Sequence, residues 1–205
     1  MNPVRILVYC DSRETAEKTK KAIEELANGN KKKGVPIIDI DTELFVGARR
    51  VKERLDASKK LKDLGFLAGS GVTVKKPAFL IATSAGEVGI DLDADHMVCD
   101  LVPWERMVQR FGRVNRRGDG NAHIIVIDEG EPKPKNADEP SPKESRDLIA
   151  YCALQVINFV SPEGLEFDAS PGALRDLKLR SERDLSLKTL IAAATTPAPL
   201  SPACQ

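Results

Sequence analysis

Short, continuous apolar runs alternate along this chain with longer stretches in which apolar positions recur every three or four residues. Residues 4–10 (VRILVYC) hold one Arg in an otherwise apolar run, which predicts a buried strand. Asp11 or Ser12 then caps a helix with Glu14 in its first turn. Ala16, Thr19, Ile23 and Leu26 form its inward stripe, and Asn28-Gly29 stops it. After a lysine-rich loop, the later part of 37–46 reads as a second strand, and 49–64 as a helix with Val51, Leu55 and Leu61 inward. Residues 64–77 are Gly-rich and show no single period. Apolar runs at 78–83, 96–101 and 124–128 predict three more strands. A short helix is expected from Ser84, and another over 104–112 after Pro103.

Strands without alternating polarity, separated by helices, predict an α/β fold: a doubly wound, mostly parallel sheet covered on both faces. Ligands in such sheets gather at the carboxyl ends of the strands. Functional weight therefore falls on the strand exits Asp11-Ser12-Arg13 and Thr83-Ser84-Ala85-Gly86. Beyond this α/β domain (1–128), the run EGEPKPKNADEPSP at 129–142 is a charged, Pro-rich linker, expected to be extended or disordered. A helical extension (143–195) follows. Its first helix, 145–160, is striped by Leu148, Tyr151, Cys152, Val156 and Phe159, and one or two more helices lie within 173–194. The tail, 196–205, reads as disordered.

Composition narrows the function. The 31 basic and 31 acidic residues cancel, so any nucleic-acid binding must come from local patches. No run reaches the length of a bilayer span, and the N-terminus lacks a signal peptide's apolar region. A soluble, cytoplasmic protein is expected. The 4 cysteines form no C-x-x-C pair and the 2 histidines, His96 and His123, are far apart in sequence, so no metal site is expected. Cys10 and Cys99 fall in expected strands, where Cys acts as a small hydrophobe.

Chemistry concentrates in ATSAGEVGIDLDADHMVCDLVPWERMVQRFGRVNRRG, residues 82–118. Gln109, Arg110, Gly112, Arg113 and Arg116 form a Q-R-x-G-R-x-x-R array, with Gly89-x-Asp91 upstream. On a helix, Arg113 and Arg116 would point the same way. Two guanidiniums on one face make a permanently charged fork for phosphate oxygens, as stabilising a transferring phosphoryl group requires. Arg110 would brace the site from inside, and Gln109 could reach a nucleotide oxygen or water. Thr83 and Ser84, with the N–H groups after them, could take a nucleic-acid phosphate, and Asp91 a ribose hydroxyl. The plainer alternative makes Thr83 and Ser84 helix caps and Asp91 a turn residue. Arg49, Arg50, Lys52, Arg54, Lys59, Lys60 and Lys62 are either a solvated helix face or contacts to a strand's backbone.

These segments resemble motifs V and VI of superfamily 2 helicases, in the second RecA-like domain. ATSAGEVGID is similar to A-T-x-x-x-x-x-G-x-D, QRFGRVNR is similar to Q/H-R-x-G-R-x-x-R, and ILVYCDSRETAEK resembles motif IV. Glu87 departs from the RNA-helicase form. Glu-Val-Gly-x-Asp followed by NRRG looks more like the CRISPR-associated helicase-nucleases of type I systems. The resemblance spans residues 3–128. It implies Arg113 and Arg116 as arginine fingers on a γ-phosphate, with Gly89 and Asp91 near the ribose. It further implies Asp11, Ser12, Arg13, Thr83 and Ser84 along single-stranded DNA, to which Arg49 and Arg54 of the basic run would add backbone contacts.

A motor also needs a phosphate loop with Lys-Ser/Thr and an acidic pair for Mg²⁺. Neither occurs: the glycines at 29 and 34 are followed by Val35, where the Lys belongs. The resemblance therefore implies that ATP and Mg²⁺ are held mainly by the first RecA-like domain of the same protein, within reach of a CRISPR effector complex. The chain alone is expected to hydrolyse no ATP. A non-catalytic nucleic-acid-binding or docking module, and an RNA helicase fragment, are the alternatives.

Overall fold

The computed structural model describes residues 4–29, 34, 36–47, 51–84, 90–118, 120–136, 138–157 and 167–195, apart from the side chains of 51–55. The chain forms two compact units: Met1–Leu101 with Gly112–Asp128, and Val102–Phe111 with Glu129–Gln205. The first holds β1 (Arg5–Tyr9), α1 (Arg13–Ala27), β2 (Asp41–Phe45), α2 (Val51–Asp63), β3 (Ala78–Ala82), β4 (His96–Asp100) and β5 (Ile124–Ile127). The second holds α3 (Trp104–Phe111), α4 (Pro142–Val156), α5 (Pro171–Ser181) and α6 (Leu185–Ala194).

All five strands are parallel, in the order β2-β3-β1-β4-β5, which is the expected α/β sheet. The middle strand is β1, whose Leu7 sits in register between Leu80 and Met97, and Tyr9 between Ala82 and Cys99. These six side chains share one face, because the strand period is two, and all are buried. On the other face Val8 and Ile81 join Cys10, Val46 and Ala16 of α1 in one buried cluster. Burying each Leu or Ile contributes roughly 1.5–3 kcal/mol. A one-residue slip of register would turn both sets inside out. Coverage on both faces fails at the edge strand β5, where Ile125 and Ile127 stay 59% and 45% exposed.

Ser12, not Asp11, caps α1: its Oγ accepts the Thr15 N–H at 3.0 Å. Asn28 and left-handed Gly29 end the helix as expected, but the inward stripe stops short, with Leu26 76% exposed. The helix expected at 49–64 begins at Val51; Leu61 is buried, while Arg49 and Arg50 lie outside the described residues. The unassigned 64–77 segment has a structural role, since Phe66 is buried and Leu67 bridges Leu92 antiparallel. The short helix expected from Ser84, and the tail 196–205, fall outside the described residues.

In the second unit α6 packs against both α4 and α5. The first helix of the extension starts three residues earlier than expected because Ser141 and Glu144 form a capping box ahead of it. Glu144 accepts the Ser141 N–H at 2.9 Å and its hydroxyl at 2.6 Å, and also the Lys135 N–H at 3.0 Å, which ties part of the Pro-rich segment to the helix start. The stripe also differs from expectation: Ala153, Leu154 and Ile157 are buried, Tyr151 is half-buried, and Cys152 and Val156 are exposed. No helix among the described residues is long and apolar enough to cross a membrane.

The hydrogen bond from the Ser141 hydroxyl, then the backbone bonds from Lys135 and Ser141, hold the Glu144 carboxyl down to about 2, against an ordinary 4.5. A depressed carboxyl stabilises above its unfolded value and loses that contribution as pH falls through the folded one. The stability gap between the wild type and Glu144→Ala, from urea melts, should be full above about pH 5 and shrink between about 4.5 and about 2. A gap that does not change across that window contradicts the capping assignment.

Candidate nucleotide and nucleic-acid surfaces

The expected site residues of the first unit divide between opposite edges of the sheet. At the carboxyl edge the exits of β1 and β3 are neighbours, joined by the Cys10 N–H donating to the Ala82 carbonyl at 2.8 Å. This contact brings Asp11, Ser12 and Arg13 beside Thr83 and Ser84. Thr83 is 8% exposed, with its N–H on the Phe45 carbonyl at 3.1 Å, whereas Ser84 is open to solvent. The Ser12 hydroxyl also pairs with that of Thr15 at 2.8 Å, and Arg13, 72% exposed, pairs with Glu17 at 2.7 Å. The Asp11 N–H donates to Asp100 at 2.7 Å, so two carboxylates share this edge with the hydroxyls. Arg49 and Gly89 lie outside the described residues, and the Arg54 side chain, on α2, is not described.

At the amino edge the chain enters β4 through Asp91–Asp95 and β5 through the loop after α3. Arg113 and Arg116 are not on a helix, since α3 ends at Phe111. They still converge, because the loop is fastened to the segment before β4. Val114 bridges Ala94 in parallel; the Ala94 N–H donates to the Arg113 carbonyl at 3.0 Å, and the Asn115 N–H to the Ala94 carbonyl at 2.8 Å. Asn115 takes the left-handed region (φ 46°), which short polar side chains tolerate, and clasps Gly120 through both its amide atoms. With the backbone turned there, the Arg113 Nη1 lies 3.4 Å from Asp91 Oδ1, and the Arg116 Nη1 pairs with the same oxygen. Asp91 is 64% exposed, Arg116 37% and Arg113 19%. Two guanidiniums thus meet at one solvent-facing carboxylate, a position that suits an incoming anion. Gln109 and Arg110 belong to α3 in the second unit; Gln109 is exposed and Arg110 wholly buried.

Behind this pair lies a network that the sequence reading did not find. Arg5, at the start of β1, forks onto Asp95 with Nε–Oδ2 3.1 Å and Nη2–Oδ1 2.6 Å, and its Nη1 reaches the Gly65 carbonyl at 2.6 Å. Burial works against the charge on Arg5, but hydrogen bonds and charge from Asp95, with Asp93 behind it, outweigh this and raise its pKa. Burial likewise opposes ionisation of Asp95, and the Arg5 hydrogen bonds prevail, lowering its pKa. Asp93, 1% exposed, accepts the Arg116 N–H at 3.1 Å and lies 3.6 Å from both Arg5 and Arg117. A signal was present: a lone Arg in an apolar strand needs buried partners, and Asp91-Leu92-Asp93-Ala94-Asp95 offers acids at every second position. His96 and His123, distant in sequence, also meet here, rings stacked at 5.6 Å with the His123 N–H donating to His96 Nδ1 at 3.1 Å. Among the described residues no cluster of three or more His, Cys, Asp or Glu could hold a metal ion.

The five-stranded parallel sheet with this order and its helices has the RecA-like α/β fold. The chain belongs to the family described as CRISPR-associated nuclease/helicase Cas3, C-terminal, whose profile matches residues 5–119. A Myxococcus xanthus (strain DK1622) protein, provisionally described as a CRISPR-associated nuclease/helicase Cas3, is 44% identical over 45 residues, which is 22% of this chain and 6% of that protein. The fold is also that of T. fusca Cas3. Its crystal structure with ATP superposes with a TM-score of 0.55 at 19% identity, covering 96% of this chain and 24% of that one. The ADP form gives 0.53 at 18%, covering 95% and 24%. The chain thus spans about a quarter of the length of those structures.

Asn115 sets the turn between the two arginines. Replacing it with Ala, which tolerates the left-handed region poorly, should cost about 1–2 kcal/mol in urea unfolding. Asn115→Gly should cost less. An Ala variant as stable as the wild type would contradict this account of the loop.

Proposed function

We propose that this chain is the second motor lobe of an ATP-dependent single-stranded DNA translocase acting in CRISPR interference. The convergence of Arg113 and Arg116 on the exposed Asp91 carboxylate carries this reading. A triphosphate held by the first RecA-like domain of the same protein would meet both guanidiniums, and each would bind a phosphate oxygen as charge develops there. Asp91, relieved of its cationic partners, would accept a ribose hydroxyl, with Gly89 beside it. Gln109 would bind the nucleotide or its water, while Arg110 acts as an internal brace. The fit to a nucleotide rests on this cation pair; ATP supplies the phosphoryl group and Mg²⁺ its charge neutralisation, both held mainly by the other lobe.

DNA phosphates would follow the carboxyl edge, over Asp11, Ser12, Arg13, Thr83 and Ser84, with Arg49 and Arg54 adding backbone contacts. Nucleotide and strand therefore occupy opposite edges of one sheet, so closure on the triphosphate can be felt by the strand. Partners would be the first lobe, single-stranded DNA and a CRISPR effector complex.

In the complete protein, Arg113→Ala or Arg116→Ala should lower DNA-stimulated ATP hydrolysis by about 10³-fold or more, and the 205-residue chain alone should hydrolyse none. Near-normal turnover in both variants removes the finger assignment. Stronger stimulation by single-stranded RNA than by DNA would favour an RNA helicase lobe instead.

A further inference from the structure

The geometry points to Asp93 as the positioning residue of the arginine loop, a role that rests on the reading of Arg113 and Arg116 given above and deepens it. Asp93 is itself locked in place. Its N–H donates to the Phe66 carbonyl at 2.9 Å, and its carbonyl accepts the Arg5 Nη1 at 3.1 Å. Its side chain points inward and is 2% exposed, so a water shell does not compensate its charge. The compensation comes from two sources. Arg5, rooted in the middle strand, lies 3.6 Å from Oδ2, and the Arg116 backbone N–H donates to Oδ1 at 3.1 Å. Arg117, 3.6 Å away and half-exposed, adds a second cation, from the loop itself.

The result is a chain of contacts from the sheet to the phosphate-facing side chain. Arg5 is fixed by Asp95 and Gly65, Asp93 by Arg5 and Phe66, and the Arg116 backbone by Asp93. Over residues 112–118 only Val114 is buried, so this stretch has little apolar burial of its own to fix it. A charge-assisted bond from a buried acceptor supplies what packing does not. Asp93 touches the Arg116 backbone and leaves its guanidinium free to pair with Asp91. It therefore sets the origin of the side chain without competing for the ligand. Reorientation of such a group by 1 Å is enough to cost catalysis heavily.

The test has two readouts. In the 205-residue chain, amide hydrogen exchange at Arg116 reports the bond directly. Asp93→Ala should speed exchange there by about tenfold or more, and Asp93→Asn, which keeps a neutral acceptor, by about fivefold, with Leu80 and Met97 unchanged. In the complete protein, kcat for ATP should fall in the same order, Ala below Asn below wild type, with KM altered less than kcat. Wild-type exchange at Arg116 in the variants overturns the proposal, as does exchange that rises equally at Leu80. If Asp93→Ala does not fold, Asp93→Asn decides alone, and wild-type exchange with wild-type kcat overturns it. Failure of the finger reading shows separately, as undiminished turnover in Arg113→Ala and Arg116→Ala while the exchange effect persists.

Discussion

One charge, carried by Arg5 at the mouth of the middle strand, organises the amino edge of the sheet. A guanidinium at the start of an apolar strand must be neutralised and hydrogen-bonded where it lies. Asp95 supplies a bidentate partner, Gly65 and Asp93 supply carbonyls, and Asp93 adds a carboxylate at 3.6 Å. Removing either side of such a buried pair leaves an uncompensated charge, which is usually far costlier than losing a surface ion pair. The requirement pulls the segment before β4 against β1, and Asp93 in turn draws in the backbone of the arginine loop. The cations that meet at Asp91 are thus held by electrostatics that begins in the core.

The sheet separates two chemistries by its two edges. The carboxyl edge carries the hydroxyls of Ser12, Thr83 and Ser84 beside Asp11, Asp100 and Arg13, while the amino edge gathers Arg5, Arg113, Arg116 and Arg117 with Asp91, Asp93 and Asp95. On the proposed reading, this division would let one small lobe of the Cas3-like family address two kinds of phosphate. Neither surface needs a cavity. Each needs charges or donors held still on a rigid layer, and the fully buried rows Leu7–Leu80–Met97 and Tyr9–Ala82–Cys99 provide that layer.

The sheet is legible because its strands are continuous apolar runs, the pattern of a largely buried parallel layer. Strand positions and parallel pairing follow from that, whereas the order β2-β3-β1-β4-β5 and the register are seen only in the folded chain. Three features were not legible, each for a local reason. The helix expected over 104–112 ends at Phe111, so the spacing that would align Arg113 and Arg116 on a helix does not apply, and the two arginines meet through a loop turned at left-handed Asn115. The capping box of α4 was hidden because Pro-rich, charged sequence looks like linker until Ser141 and Glu144 are paired across Pro142. The Arg5–Asp93–Asp95 network joins residues some 90 positions apart, a distance at which no periodicity speaks. Only the anomaly of a charged residue in an apolar run announced it.

The central claim is that the core-anchored loop delivers Arg113 and Arg116 to a triphosphate held elsewhere. A structure of the complete protein with a non-hydrolysable ATP analogue tests it most directly. The account predicts both guanidiniums within hydrogen-bond distance of the terminal phosphate, about 3 Å, with Asp93 still on the Arg116 N–H. Both arginines remaining on Asp91, with the phosphate bound remote from them, would contradict it.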